Sequence, residues 1–244
     1  MLQNRNLENN TIIMSIAQNL TKIKSQLPAH VTLVAVSKTK PVSDLMEAYN
    51  AGQRIFGENK IQEMTEKWEQ MPKDIEWHMI GHVQTNKVKF MAEYVSLIHG
   101  VDSLKLLQEI NKQAKKYNRV IDCLLQIHIA EEETKFGLDE LELEEILTQV
   151  QNDKSEFENI RIVGLMGMAT FTENQNQIEK EFNHLKAIFD KHSQLDLSDS
   201  VQAKQTANLK LETLSMGMSG DYKLAISCGS TMVRIGSSIF GTRN

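Results

Sequence analysis

The chain has 244 residues, with 27 lysines and arginines against 32 aspartates and glutamates, a net charge of −5. Hydrophobic residues make up 41% and charged residues 24%, the balance of a soluble globular protein, and no basic stretch is dense enough for nucleic acid. No apolar run reaches the roughly 18 residues of a membrane span, and Cys123 and Cys228 alone do not make a disulfide framework, which predicts a reducing cytoplasm.

Residues 1–10 are rich in Asn and Gln, which predicts a flexible start without a signal-peptide core. Ile12, Ile13, Ile16, Leu20 and Ile23 then follow helical spacing and predict a helix from about residue 6 to 26. From there strands and helices alternate. Residues 31–37 read as a strand buried on both faces, and Pro41 opens a helix over 42–51. A short strand at 53–57 precedes a helix over 58–70. Strand 75–81 precedes a helix over 85–93, and strand 95–99 a helix over 104–117. The second half continues with strand 120–129, an acidic helix over 139–151, strand 160–168 and a helix over 175–193. Residues 195–208 read as a polar loop. Strand 211–215, a short helix at 222–227, strand 232–235 and a last turn at Phe240 complete the chain. Eight strands alternating with helices over about 210 residues predict one domain, a parallel (β/α)8 barrel with an extra N-terminal helix. A doubly wound open sheet is the alternative, since periodicity does not report closure.

In a barrel, ligands bind at the carboxyl ends of the strands. Those ends are Lys38, Asn59, His78 to His82, His99 to Asp102, His128 to Glu133, Met168 to Thr170, Met216 to Ser219 and Arg234 to Ser237. An ammonium at the end of a buried strand is costly unless paired or used, and burial can make an amine nucleophilic toward aldehydes. A lysine that reaches solvent fits the same stretch. Two ends suit a phosphate: Ser215-Met-Gly-Met-Ser219-Gly220 and Arg234-Ile-Gly236-Ser237-Ser238 combine small residues with a helix start. They follow the seventh and eighth strands, where barrels often hold a phosphate. Metal ligation is disfavoured, because Gly81 separates His78 from His82 within a strand reading. No G-x-S-x-G elbow is present.

Four motifs carry a family resemblance: Ala35-Val-Ser-Lys-Thr-Lys-Pro41, Phe56-Gly-Glu-Asn59, Trp77-His-Met-Ile-Gly-His-Val-Gln-Thr-Asn-Lys87 and Gly164-Leu-Met-Gly-Met-Ala169. The terminal run from Leu214 through Ser219, Ala225, Gly229 and Gly236 to Gly241 joins them. Together they resemble the pyridoxal phosphate homeostasis (YggS/PROSC) family, in order, from about residue 31 to 241. That resemblance implies a barrel similar to the one in alanine racemase. It implies pyridoxal 5′-phosphate held as a Schiff base on Lys38. Ser219 and the backbone of Gly236 and Ser237 would hold the phosphate, Arg234 would face the pyridine nitrogen, and Asn59 belongs to the pocket.

The resemblance further implies a monomer that buffers the cofactor or delivers it to apo-enzymes, without strong catalysis of its own. An arginine has no proton to spare for the pyridine nitrogen, so the cofactor is a weaker electron sink. Racemases of this fold add a tyrosine base from a second domain. This chain ends three residues past Gly241, and Tyr49, Tyr94, Tyr117 and Tyr222 fall in helical segments. The rival readings are a weak amino-acid racemase on the same cofactor and a cofactor-free Schiff-base aldolase.

Overall fold

The computed structural model describes residues 14–132, 136–193 and 208–242. Eight parallel strands close into a barrel in chain order: β1 (Thr32–Val36), β2 (Ile55–Glu58), β3 (Glu76–Met79), β4 (Val95–Val101), β5 (Ile121–Gln126), β6 (Ile160–Met166), β7 (Leu209–Met218) and β8 (Met232–Ile235). β1 pairs with β8 from Thr32↔Met232 to Ala35↔Ile235, and this pairing excludes the open sheet. The helices are α1 (Ile16–Gln26), α2 (Val42–Asn50), α3 (Ile61–Gln70), α4 (Leu104–Lys116), α5 (Glu140–Asn152), α6 (Gln175–Ser193), α7 (Tyr222–Ser227) and α8 (Ser237–Phe240). No helix among the described residues is long and apolar enough to cross a membrane.

Side chains alternate along each strand and so divide the core in two. Leu33 and Ala35 point outward and join the large cluster between the strands and the helices. Val34, Leu97, Leu124, Met166 and Met232 point inward and form a small apolar layer inside the barrel. The interior also carries polar side chains, His78, His99, Ser215 and Arg234, all buried.

Several boundaries differ from the sequence reading; β7, for example, runs Leu209–Met218 where 211–215 is expected, and β5 stops at Gln126. α1 starts at Ile16, because Ser15 caps it: its Oγ accepts the Gln18 N–H while Gln18 accepts the Ser15 N–H. Residues 85–90 form a 3-10 helix, shorter than the helix expected to 93. Glu58, read as a helix start, is the last residue of β2, and α3 begins at Ile61. The flexible start at 1–10 and the loop at 195–207 lie outside the described residues.

Candidate functional site

At the carboxyl ends of the strands lies a cavity of about 500 Å³. Lys38, Asn59, Ser219, Arg234, Gly236 and Ser237 all line it, which brings the six sequence-selected residues together from four strand ends. Lys38 follows β1 in the inward phase of Val34 and Val36 and is half-buried. Asn59 follows β2 and rests directly over Gly81. A Cβ on Gly81 would sit 2.5 Å from the Asn59 carbonyl oxygen, so only glycine lets the two strand ends approach this closely.

Arg234 comes from the middle of β8 and is 4% exposed. Its Nη1 donates to Ser215 Oγ at 2.6 Å and its Nη2 to the Gly167 carbonyl at 3.1 Å. No carboxylate among the described residues forms an ion pair with it. Burial pushes its pKa down to about 10, and Asp221, acting from farther away, opposes that. A buried guanidinium whose acceptors are all neutral favours an electron-rich ligand in the adjoining cavity. Behind it the polar chain continues: His99 Nδ1 lies 3.2 Å from Ser215 Oγ and His99 Nε2 lies 3.1 Å from His78 Nδ1.

Beside Lys38, whose strand pairs with β8, the turns after β7 and β8 meet. Gly236 N–H donates to Ser219 Oγ at 3.1 Å, so these two residues position one another. Ser237 opens α8, where a first-turn N–H has no acceptor within the helix. Asp221 accepts the Met218 N–H through Oδ1, which braces the turn and engages that carboxylate oxygen with the backbone.

Sequence reasoning missed part of the wall. Lys40 lines the cavity and donates from Nζ to the Thr242 carbonyl at 3.2 Å. Phe171, 94% exposed, and Gln175 flank the mouth from the segment after β6. A lysine two places beyond Lys38 in an inward-pointing phase is the signal that could have found Lys40. Of the other strand-end candidates, Ile80, Met168 to Thr170 and Met218 also line the cavity, whereas the acidic and histidine positions beyond β3 to β5 do not. His82 pairs with Asp102 at 3.1 Å and stacks on Phe136, and Glu133 is outside the described residues. Among the described residues no cluster suits a metal ion.

The sequence profile of the alanine racemase N-terminal domain matches residues 13–244. The pyridoxal phosphate homeostasis protein of Pasteurella multocida is 37% identical over 95% of this chain and 99% of its own length. This chain belongs to that family. The homologue from Escherichia coli K12 carries the same name and is 34% identical over 94% of this chain and 97% of its own. Among solved structures, PipY of Synechococcus elongatus with pyridoxal phosphate bound superposes with a TM-score of 0.80. It is 34% identical and covers 93% of this chain and all of PipY. Alanine racemase of Enterococcus faecalis superposes at 0.68 with 15% identity over 58% of its length, a likeness of fold alone.

Proposed function

We propose that this homeostasis-family protein binds pyridoxal 5′-phosphate covalently and reversibly at Lys38, and buffers or delivers it within the cytoplasm without strong catalysis. The observation that carries the reading is the convergence of a strand-end lysine, an anion-suited pair of turns and a buried arginine on one cavity. PipY, one third identical over the whole barrel, is described with that ligand. When bound, the group supplies an aldehyde that amines condense with and a conjugated ring that accepts electrons.

The residues present fit it. Ser219 and the Gly236–Ser237 backbone would hold the phosphate, and Lys38 would hold the aldehyde carbon. Arg234, pinned by Ser215 and Gly167, would offer its guanidinium edge to the ring nitrogen. That guanidinium gives up no proton, so it binds the ring without raising its appetite for electrons. A racemase also needs a second base facing the lysine. Among the described residues no tyrosine lines the cavity: Tyr49 donates to Asp74 at 2.9 Å, Tyr94 meets Thr65 and Tyr222 donates to Gln26. Retention therefore fits these residues better than turnover, with apo-enzymes as the recipients.

The test is an absorption spectrum of the purified protein with pyridoxal phosphate, before and after borohydride. A visible band that borohydride shifts is expected, and a colourless protein would overturn the reading in favour of cofactor-free lysine chemistry. Robust D-alanine formation from L-alanine would overturn the non-catalytic part. Arg234→Gln removes a charged hydrogen-bond donor and is expected to speed cofactor loss about tenfold. An unchanged dissociation rate in that variant would take the ring contact away from Arg234.

A further inference from the structure

Lys38 is flanked by two backbone positions that are gripped from outside the barrel. Ser37 points outward in the alternation of β1, fully buried beneath α3. Lys67, on α3 and 5% exposed, uses its ammonium on three acceptors: the Ser37 carbonyl at 2.8 Å, Glu58 Oε1 at 2.7 Å and Glu63 Oε1 at 2.7 Å. Glu58 Oε1 also accepts the Ser37 hydroxyl at 2.6 Å. Glu63 Oε1 also accepts the Thr39 N–H at 2.6 Å. Thr39 has φ +65°, a left-handed conformation that costs a β-branched residue on the order of 1 kcal/mol and persists only where its surroundings impose it. One ammonium and two carboxylates thus hold the residue before Lys38 and the residue after it.

Stability does not account for this arrangement. A buried ion group is seldom better than apolar packing of the same size. Glu58 Oε2 is buried without a hydrogen-bond partner, and burial raises the Glu58 pKa despite the Lys67 and Ser37 donors. We propose that the Glu58–Lys67–Glu63 triad is a positioning device that fixes the Ser37–Thr39 backbone so that Lys38 Nζ is presented to the aldehyde. The proposal rests on the cofactor reading above. Covalent loading joins the neutral amine to the aldehyde carbon, replaces C=O by C=N and expels the oxygen as one water. The Cα–Cβ direction of Lys38 sets where that amine can reach, and small misplacements of a reacting group cost one to two orders of magnitude in rate.

The experiment follows growth of the visible band after pyridoxal phosphate is added to cofactor-free wild type, Glu63→Ala, Glu63→Gln and Lys67→Met. In parallel it measures binding of pyridoxine 5′-phosphate, whose alcohol cannot condense with a lysine. Glu63→Ala is expected to slow covalent loading about tenfold or more while the alcohol binds within about twofold of wild type. Glu63→Gln keeps a carbonyl oxygen for the Thr39 N–H and is expected to restore most of the rate. Lys67→Met should behave as Glu63→Ala does. Wild-type loading rates in Glu63→Ala, or an equal loss of alcohol binding, would overturn the positioning role while leaving the cofactor reading intact. A wild type that never develops the band would overturn the cofactor reading, and the proposal with it.

Discussion

Lys38→Ala is expected to leave a folded protein that forms no covalent bond with added pyridoxal phosphate. The side chain is half-buried at a strand end and lies outside both apolar clusters, so its truncation removes little core packing. The Ser37 and Thr39 contacts to Glu58, Lys67 and Glu63 use backbone and neighbouring side chains, so the strand end should persist. The anion-suited turns and Arg234 also remain. Non-covalent binding should therefore survive in weakened form, with dissociation faster by at least about tenfold for the lost bond. Borohydride treatment followed by peptide mass mapping reads the result directly. Wild type should carry the label on Lys38 and the variant should carry none. A label on Lys40, which lines the same cavity, would reassign the covalent site by two residues.

Neutral histidines inside the barrel should make the fold sensitive to acid. His78 and His99 are buried against each other, with ring centroids 5.2 Å apart and nitrogens 3.1 Å apart. Burial pushes the His78 pKa down to about 3. It carries His99 well below the ordinary value too, with His78 and Arg234 adding to the effect. An unfolded histidine titrates near 6.5. Between pH 6.5 and about 3 the unfolded chain therefore binds more protons than the folded one, and stability falls as the pH falls. At pH 5 His78 alone costs about 2 kcal/mol, from about 1.5 pKa units at 1.36 kcal/mol each. Glu58, whose pKa burial raises, acts in the opposite sense in acid, because the folded state takes its proton first. The direct measurement is an NMR titration of the imidazoles. His78 and His99 should show no protonation step between pH 8 and 5, and a step near pH 6.5 in either would refute the buried neutral pair.

The hydrogen-bond requirement points the same way. A neutral imidazole has one donor and one acceptor, so the 3.1 Å contact between His99 Nε2 and His78 Nδ1 requires both rings to be the same tautomer, and Ser215 Oγ links the pair to Arg234. A second positive charge there would face the Arg234 guanidinium in a buried interior, which desolvation and like-charge repulsion both oppose.

Much of this protein is legible in its sequence. Eight buried strand patterns, each followed by helical spacing, dictate a parallel layered fold, because apolar runs such as 31–36 can be covered only by helices on the outside. The rule that ligands bind at strand carboxyl ends then marks eight stretches, and the resemblance to the homeostasis family narrows them to Lys38, Asn59, Ser219, Arg234, Gly236 and Ser237. Periodicity does not say which strand meets which. The β1–β8 pairing that turns a sheet into a barrel, and so makes four strand ends into one cavity, is a tertiary event. So is the contact of Arg234 with Ser215, 19 residues upstream, and of His78 with His99, 21 residues away. Glu58 and Lys67 fall within the helix read over 58–70, and helical spacing says nothing of their burial. Only packing α3 onto β2 buries them, where each is the other's counter-ion behind Lys38. Local pattern determines what faces inward; closure of the barrel decides what those inward groups, and the charges trapped behind them, can touch.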